Sequence, residues 1–116
     1  MTYAEQETQM QFINYLRWRH IKFNHSPNEG KRSPQEGNKL VKMGMAKGFP
    51  DVEIPLPCRD KHGLYIEFKA GKGKLSPEQK EWLEYLEQQG YVAKVARSFA
   101  EAQKILNEYL GEKDGS

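Results

Sequence analysis

Three residues of this 116-residue chain could act together on a phosphate: Asp51, Glu67 and Lys69, spaced as Pro-Asp, fifteen residues, then Glu-x-Lys. Two carboxylates on adjacent strands can share a divalent cation of the Mg²⁺ kind, which takes oxygen ligands and keeps positions open for water and a phosphate oxygen. A lysine two residues beyond the glutamate emerges on the same face of its strand. Its ammonium can orient or help deprotonate an attacking water, or offset charge that builds up on the scissile phosphate. That is the minimum set for metal-assisted phosphodiester hydrolysis. Each part alone is common, because Pro-Asp is a turn dipeptide and Glu-x-Lys is often a solvated strand face. Their company strengthens the pattern: glycines precede Asp51, alternation surrounds Glu67 and Lys69, and a capped helix follows.

The elements that must position these groups read αβαββαβα. A helix is predicted over 3–19, where Phe12, Ile13 and Leu16 fall close together at about 100° per residue. Glu5 projects onto that same apolar sector, where its simplest role is to complement the helix dipole at a fraying end. A short strand follows at 21–25, ending at His25. Residues 26–37, with two Pro, two Gly and two Ser, have loop composition. A second helix is predicted from Pro34 to Met45, stopping at Gly48. Strands over 51–54 and 64–70 are joined by a turn at 58–63. In the second of them Leu64, Ile66, Phe68 and Ala70 share one face, and Tyr65, Glu67 and Lys69 the other. Ser76-Pro77-Glu78-Gln79 is a helix start with Ser at N-cap, Pro at N1 and Gln at N3. This helix buries Trp82, Leu83 and Leu86 and ends at Gly90 in the C′ role. Gln79 shares its apolar side, and the capping box, in which Gln79 reaches back to the Ser76 amide, already accounts for it. A strand over 91–96 and a helix capped by Ser98 complete the order. One domain over 1–110 with a disordered tail over 111–116 is expected.

Charge and composition narrow the partners. Formal net charge is +2, with 18 Lys+Arg against 16 Asp+Glu, but the distribution is uneven. Residues 1–16 hold two acids and no base, 17–47 eight bases and two acids, and 48–116 ten bases and twelve acids, giving −2, +6 and −2. A basic middle third suits a polyanion, or else is solvated surface. A single cysteine, Cys58, excludes an internal disulfide framework. No apolar run approaches the ~18 residues of a membrane span. An N-terminal stretch with Glu5, Glu7 and no base does not read as a secretory signal, so a soluble intracellular protein is expected. Gly71-Lys-Gly-Lys74 lacks the spacing of a P-loop. Cys58 and His62 offer at most half of a zinc site.

Gly48-Phe-Pro-Asp51, Ile66-Glu-Phe-Lys-Ala70, Leu75-Ser-Pro-Glu-Gln79 and Gly90-Tyr-Val-Ala-Lys-Val95 together resemble the VRR-NUC domain, the virus-type replication-repair branch of the PD-(D/E)xK nucleases. The resemblance runs from Glu5 to about Leu110, in the family's order. It implies an α/β, restriction-endonuclease-like fold, with a mixed central sheet flanked by helices. It implies that Asp51 and Glu67 bind Mg²⁺ or Mn²⁺, with the Phe68 carbonyl as a further ligand, and that Lys69 is catalytic. Glu5 looks like the first-helix glutamate, a possible ligand through water, and Gln79 like the family's helix glutamine. Small stand-alone members resemble Holliday-junction resolvases and work as homodimers, which implies branched DNA as substrate and a cytoplasmic setting in a bacterium or phage-infected cell. Lys31, Arg32, Lys39, Lys42 and Lys47 would then grip DNA phosphates, with Lys72 and Lys74 beside the site. The alternatives are a nicking or end-processing nuclease without junction preference, and a non-catalytic DNA-binding accessory protein.

Overall fold

A computed structural model describes residues 1–26 and 34–112. Its elements follow the expected order: α1 (Tyr3–Trp18), β1 (Asn24–His25), α2 (Pro34–Lys42), β2 (Val52–Ile54), β3 (Leu64–Phe68), α3 (Pro77–Gln88), β4 (Val92–Ala96) and α4 (Phe99–Leu110). The strands form one mixed sheet in the order β1-β2-β3-β4, antiparallel across the first two pairs and parallel between β3 and β4. A parallel pair needs a long crossover, and α3 supplies it. The α/β fold with a mixed sheet flanked by helices is thus the one expected.

The two faces of β3 carry two cores. Leu64, Ile66 and Phe68 join Phe12 and Leu16 of α1 and Ala102 and Leu106 of α4. Tyr65 faces the other way, into a smaller cluster with Leu86 of α3 and Ala93 of β4, closed by Phe49, Trp82 and Tyr91. The predicted alternation therefore holds, but β3 is not half-exposed. All five of its residues are buried, because it lies between two other strands and beneath helices on both sides.

Several elements are shorter than expected. The first strand, expected over 21–25, pairs only at Asn24 and His25, because its partner β2 is itself three residues long; Ile21 and Phe23 pack beside the core instead. α2 ends at Lys42 rather than Met45, and Gly44 follows at φ 107°. Residues 111 and 112, expected in the tail, belong to the packed end of α4. Gly111 caps α4 in the left-handed region, and Glu112 takes two bonds of 2.6 and 2.8 Å from Arg19, tying the end of α4 to the end of α1. Residues 113–116 lie outside the described residues, as do 27–33 of the expected loop.

Gly48 sets the approach of the Asp51 segment to α3. Its φ is 83°, and a Cβ built there would lie 2.7 Å from the Glu78 carbonyl carbon and 2.8 Å from the Gln79 nitrogen. Both are backbone atoms of the first turn of α3, so neither can swing aside. Gly48→Ala should therefore cost about 2–4 kcal/mol, combining left-handed strain with overpacking. Urea unfolding measures it, and a loss below about 0.5 kcal/mol would contradict this contact.

Candidate active site

Asp51 stands one residue before β2, and the β2–β3 register, with Val52 opposite Ile66, carries it across from Glu67. Both side chains are sealed in, Asp51 at 0% exposure and Glu67 at 2%. Asp51 Oδ2 accepts a 2.8 Å hydrogen bond from the Phe68 amide, which brings the Asp51 carboxylate against the backbone that joins Glu67 to Lys69. On its other side the Asp51 carbonyl accepts from the Ser26 amide at 2.9 Å. Asp51 is thus gripped by both flanking chain segments.

Gln79 completes the pair from the facing helix. Its Nε2 donates to Glu67 Oε2 at 3.2 Å, while its Oε1 accepts from the Ser76 amide at 2.8 Å and its own amide donates to Ser76 Oγ at 3.1 Å. One primary amide has a donor end and an acceptor end, so capping the helix and holding the carboxylate are compatible. The capping box and the site role are the same structure.

Lys69 follows directly after β3, half-buried, with its amide donating to the Ala96 carbonyl at 3.1 Å. The alternation of the strand sends it to the side of Glu67. Beyond it, Lys72 and Lys74 are exposed on a turn that Arg97 clamps, donating to the carbonyls of Gly71 at 2.9 Å and Gly73 at 2.7 Å. Sequence reasoning missed Arg97, since only the parallel pairing of β3 with β4 brings it to that turn.

Glu5 is buried at 8%, and its hydrogen bonds close the helix start: Thr2 Oγ1 donates to Glu5 Oε2 at 2.8 Å and accepts from the Glu5 amide at 3.2 Å. Gln9, one turn further on and 7% exposed, also reaches towards the Asp51 strand. Gln9 Nε2 lies 2.8 Å from His25 Nδ1, and the same ring nitrogen lies 3.2 Å from the Asp51 carbonyl oxygen. A ring nitrogen serves one of these at a time, according to its tautomer. The signal for Gln9 was present: it lies four residues after Glu5 and three before Phe12, on the predicted buried stripe.

The basic residues divide. Lys39 and Lys42 are exposed in the last turn of α2, and Lys31 and Arg32 lie outside the described residues. Lys47 pairs with Glu78 at 3.5 Å on the surface, and Arg19 is committed to Tyr15, Asn107 and Glu112. Of the described basic residues of the middle third, Lys47 and Arg19 therefore already have acidic partners.

Burying two carboxylates side by side is costly unless charge compensates them. The donor set here, two carboxylates beside a strand backbone, is the all-oxygen chemistry that suits Mg²⁺ or Mn²⁺. Among the described residues, no three or more His, Cys, Asp or Glu come together as a metal cluster.

The VRR-NUC domain model matches residues 6–100. This chain belongs to the VRR-NUC family. A solved VRR-NUC domain protein superposes on it with a TM-score of 0.81 at 30% identity, covering 98% of this chain and 93% of the other. A comparison with curated proteins gives no match. The VRR-NUC fold makes the chain a nuclease of the PD-(D/E)xK type. No helix among the described residues is long and apolar enough to cross a membrane.

If Gln79 both caps α3 and holds Glu67, its loss should exceed that of the cap alone. Ser76→Ala should cost about 1 kcal/mol, and Gln79→Ala about 2 kcal/mol, because the second also strips a donor from a buried carboxylate. Equal losses in chemical denaturation would reduce Gln79 to a capping residue.

Proposed function

We propose that this VRR-NUC chain is a metal-dependent DNA endonuclease that hydrolyses phosphodiester bonds in branched DNA such as four-way junctions, working as a homodimer. The observation that carries the catalytic reading is buried Asp51 bonded to the Phe68 amide, with buried Glu67 just before that amide and Lys69 just after it. Asp51 and Glu67 would hold Mg²⁺ or Mn²⁺ with the Phe68 carbonyl, and Glu5 would contribute through water. When bound, such an ion polarises the phosphoryl oxygen and acidifies water.

The chain's own groups supply the rest. Gln79 fixes the Glu67 carboxylate in orientation, so that its lone pairs are preset rather than sampled. Lys69 places an ammonium beside the attacked phosphate, where it orients the water or offsets the charge of the transition state. Lys39, Lys42, Lys72 and Lys74 meet the DNA backbone, with Lys31 and Arg32 from the neighbouring segment. Lys47 joins them by giving up a solvent-exposed pair with Glu78, which is worth little. Each phosphate neutralised releases counterions, so binding should fall steeply with salt.

One acid pair serves one strand. Symmetric cutting of a four-way junction therefore needs two copies related by a two-fold axis, which motivates the dimer.

Lys69→Ala should lower cleavage by at least about 10²-fold while folding and DNA binding stay within about twofold. Full activity in that variant would sink the assignment. Excess EDTA should stop cleavage altogether, and undiminished turnover would remove the metal from the reading. Single strands, duplex, flap, fork and four-way junction, incubated beside the Lys69 variant with Mg²⁺ or Mn²⁺, test the substrate. Light scattering supplies the mass: a monomer, or equal cutting of duplex and junction, favours a nicking or end-processing enzyme. Salt-sensitive binding with no cutting under either ion favours an accessory protein.

A further inference from the structure

A cavity of about 290 Å³ opens between α1 and β1, lined by Gln9, Ile13, Asn14, Arg17, Phe23 and His25 among others. It sits beside the candidate active site, because His25, at its edge, lies 3.2 Å from the Asp51 carbonyl oxygen through Nδ1. Three properties define what it would accept. Phe23 is half-buried, and the Arg17 guanidinium lies over its ring, 5.7 Å from the centroid, so the exposed guanidinium presents a planar cation backed by an aromatic ring. Arg17 and Asn14 are exposed and can reach outward to a backbone phosphate. Gln9 is 7% exposed, and its Oε1 is buried with no hydrogen-bond partner among the described residues. Such an acceptor is satisfied by an incoming N–H group.

A guanidinium plane stacked over an aromatic ring, an unmet acceptor and an outward-facing positive charge together match a nucleobase with its phosphate. The volume lies just under the roughly 300–1,000 Å³ range of ligand pockets, the scale of a single base. A base inside duplex DNA cannot enter, since its faces are stacked and its edge is paired. We infer that this cavity is a subsite for one unpaired nucleotide adjoining the scissile phosphate, stacked on the Arg17 guanidinium that Phe23 backs and bonded at its edge to Gln9. The inference rests on the nuclease reading and deepens it: the preferred substrate presents an unstacked base at the branch, and Gln9, Arg17 and Phe23 are specificity-determining residues.

The test is binding, measured by anisotropy in EDTA so that cleavage does not enter. Three labelled duplexes are compared: one fully paired, one with a single bulged nucleotide, and one whose bulged nucleotide is abasic. The native protein should bind the base-bearing bulge about tenfold more tightly than the abasic one, the scale of one stacked base. Phe23→Leu, which keeps apolar volume, and Arg17→Lys, which keeps charge but loses the planar guanidinium, should erase that preference and leave the abasic duplex unaffected. Equal binding of both bulges by the native protein overturns the subsite, as does an equal loss on both bulges in the variants. Should Phe23→Leu fail to fold by circular dichroism, the exposed Arg17→Lys decides alone. A protein that shows the preference yet cuts no DNA overturns the nuclease reading only, whereas one that cuts but ignores the base overturns the subsite only.

Discussion

The hydrogen bond from the Phe68 amide to Asp51 Oδ2 is the constraint on which the site depends. Phe68 is a hinge between two environments. Its ring is buried against Phe12 of α1, with centroids 5.8 Å apart, while its amide points along the sheet to the aspartate. The hydrophobic anchor therefore fixes, to within a hydrogen bond, where one carboxylate stands relative to the neighbours of Phe68 in sequence, Glu67 and Lys69. A side chain with the same burial but a slipped register would turn Glu67 into the α1 core and break the pair.

The same logic, in which packing delivers a polar atom to one place, recurs at α3. The tight passage at Gly48 brings the chain before Asp51 against the first turn of that helix, and the cap at Ser76 fixes the rotation of Gln79. Phe49 packs edge-on against Tyr65 and Trp82, so the aromatic cluster on this face spans the segment, the strand and the helix that carry the site. Tyr65 donates to Glu53 at the far end of the cluster, and burial together with that bond pushes its phenol well above the usual range, so it remains a neutral donor. Two helical faces thus close over β3. The α1–α4 side is apolar at Phe12, Leu16, Ala102 and Leu106 but also buries Glu5, Gln9 and Asn107, and on the α3 side Gln79 meets Glu67.

Much of this was legible because local signals carry it. Ser-Pro-x-Gln at 76–79, the alternation of 64–68 and the Gly90 stop each act within a few residues, and each element appeared where its local chemistry put it. Errors fell where length depends on a partner. β1 shrank because the paired stretch of β2 is short, and Glu112 was drawn out of the tail by an arginine 93 positions away. Arg97 was invisible as a site neighbour for the same reason, since the parallel pairing of β3 with β4 brings it there. Gln9 was different. Its spacing from Glu5 and Phe12 placed it on the buried stripe, and a glutamine there was as informative as the glutamate.

By itself, the sequence determined which side chains could do chemistry and which elements they ride on, because residue type, period and capping are properties of a few consecutive residues. It also determined the family, since four short motifs in order are enough to identify it. Only the tertiary structure decided which polar groups meet. Strand register set Asp51 across from Glu67, Gln79 turned from a cap into a cap that also holds a carboxylate, Glu5 bonded to Thr2 at its own helix start, and Arg19 and Lys47 of the basic third found acidic partners. These outcomes depend on distances between residues far apart in the chain, and only a packed core sets such distances.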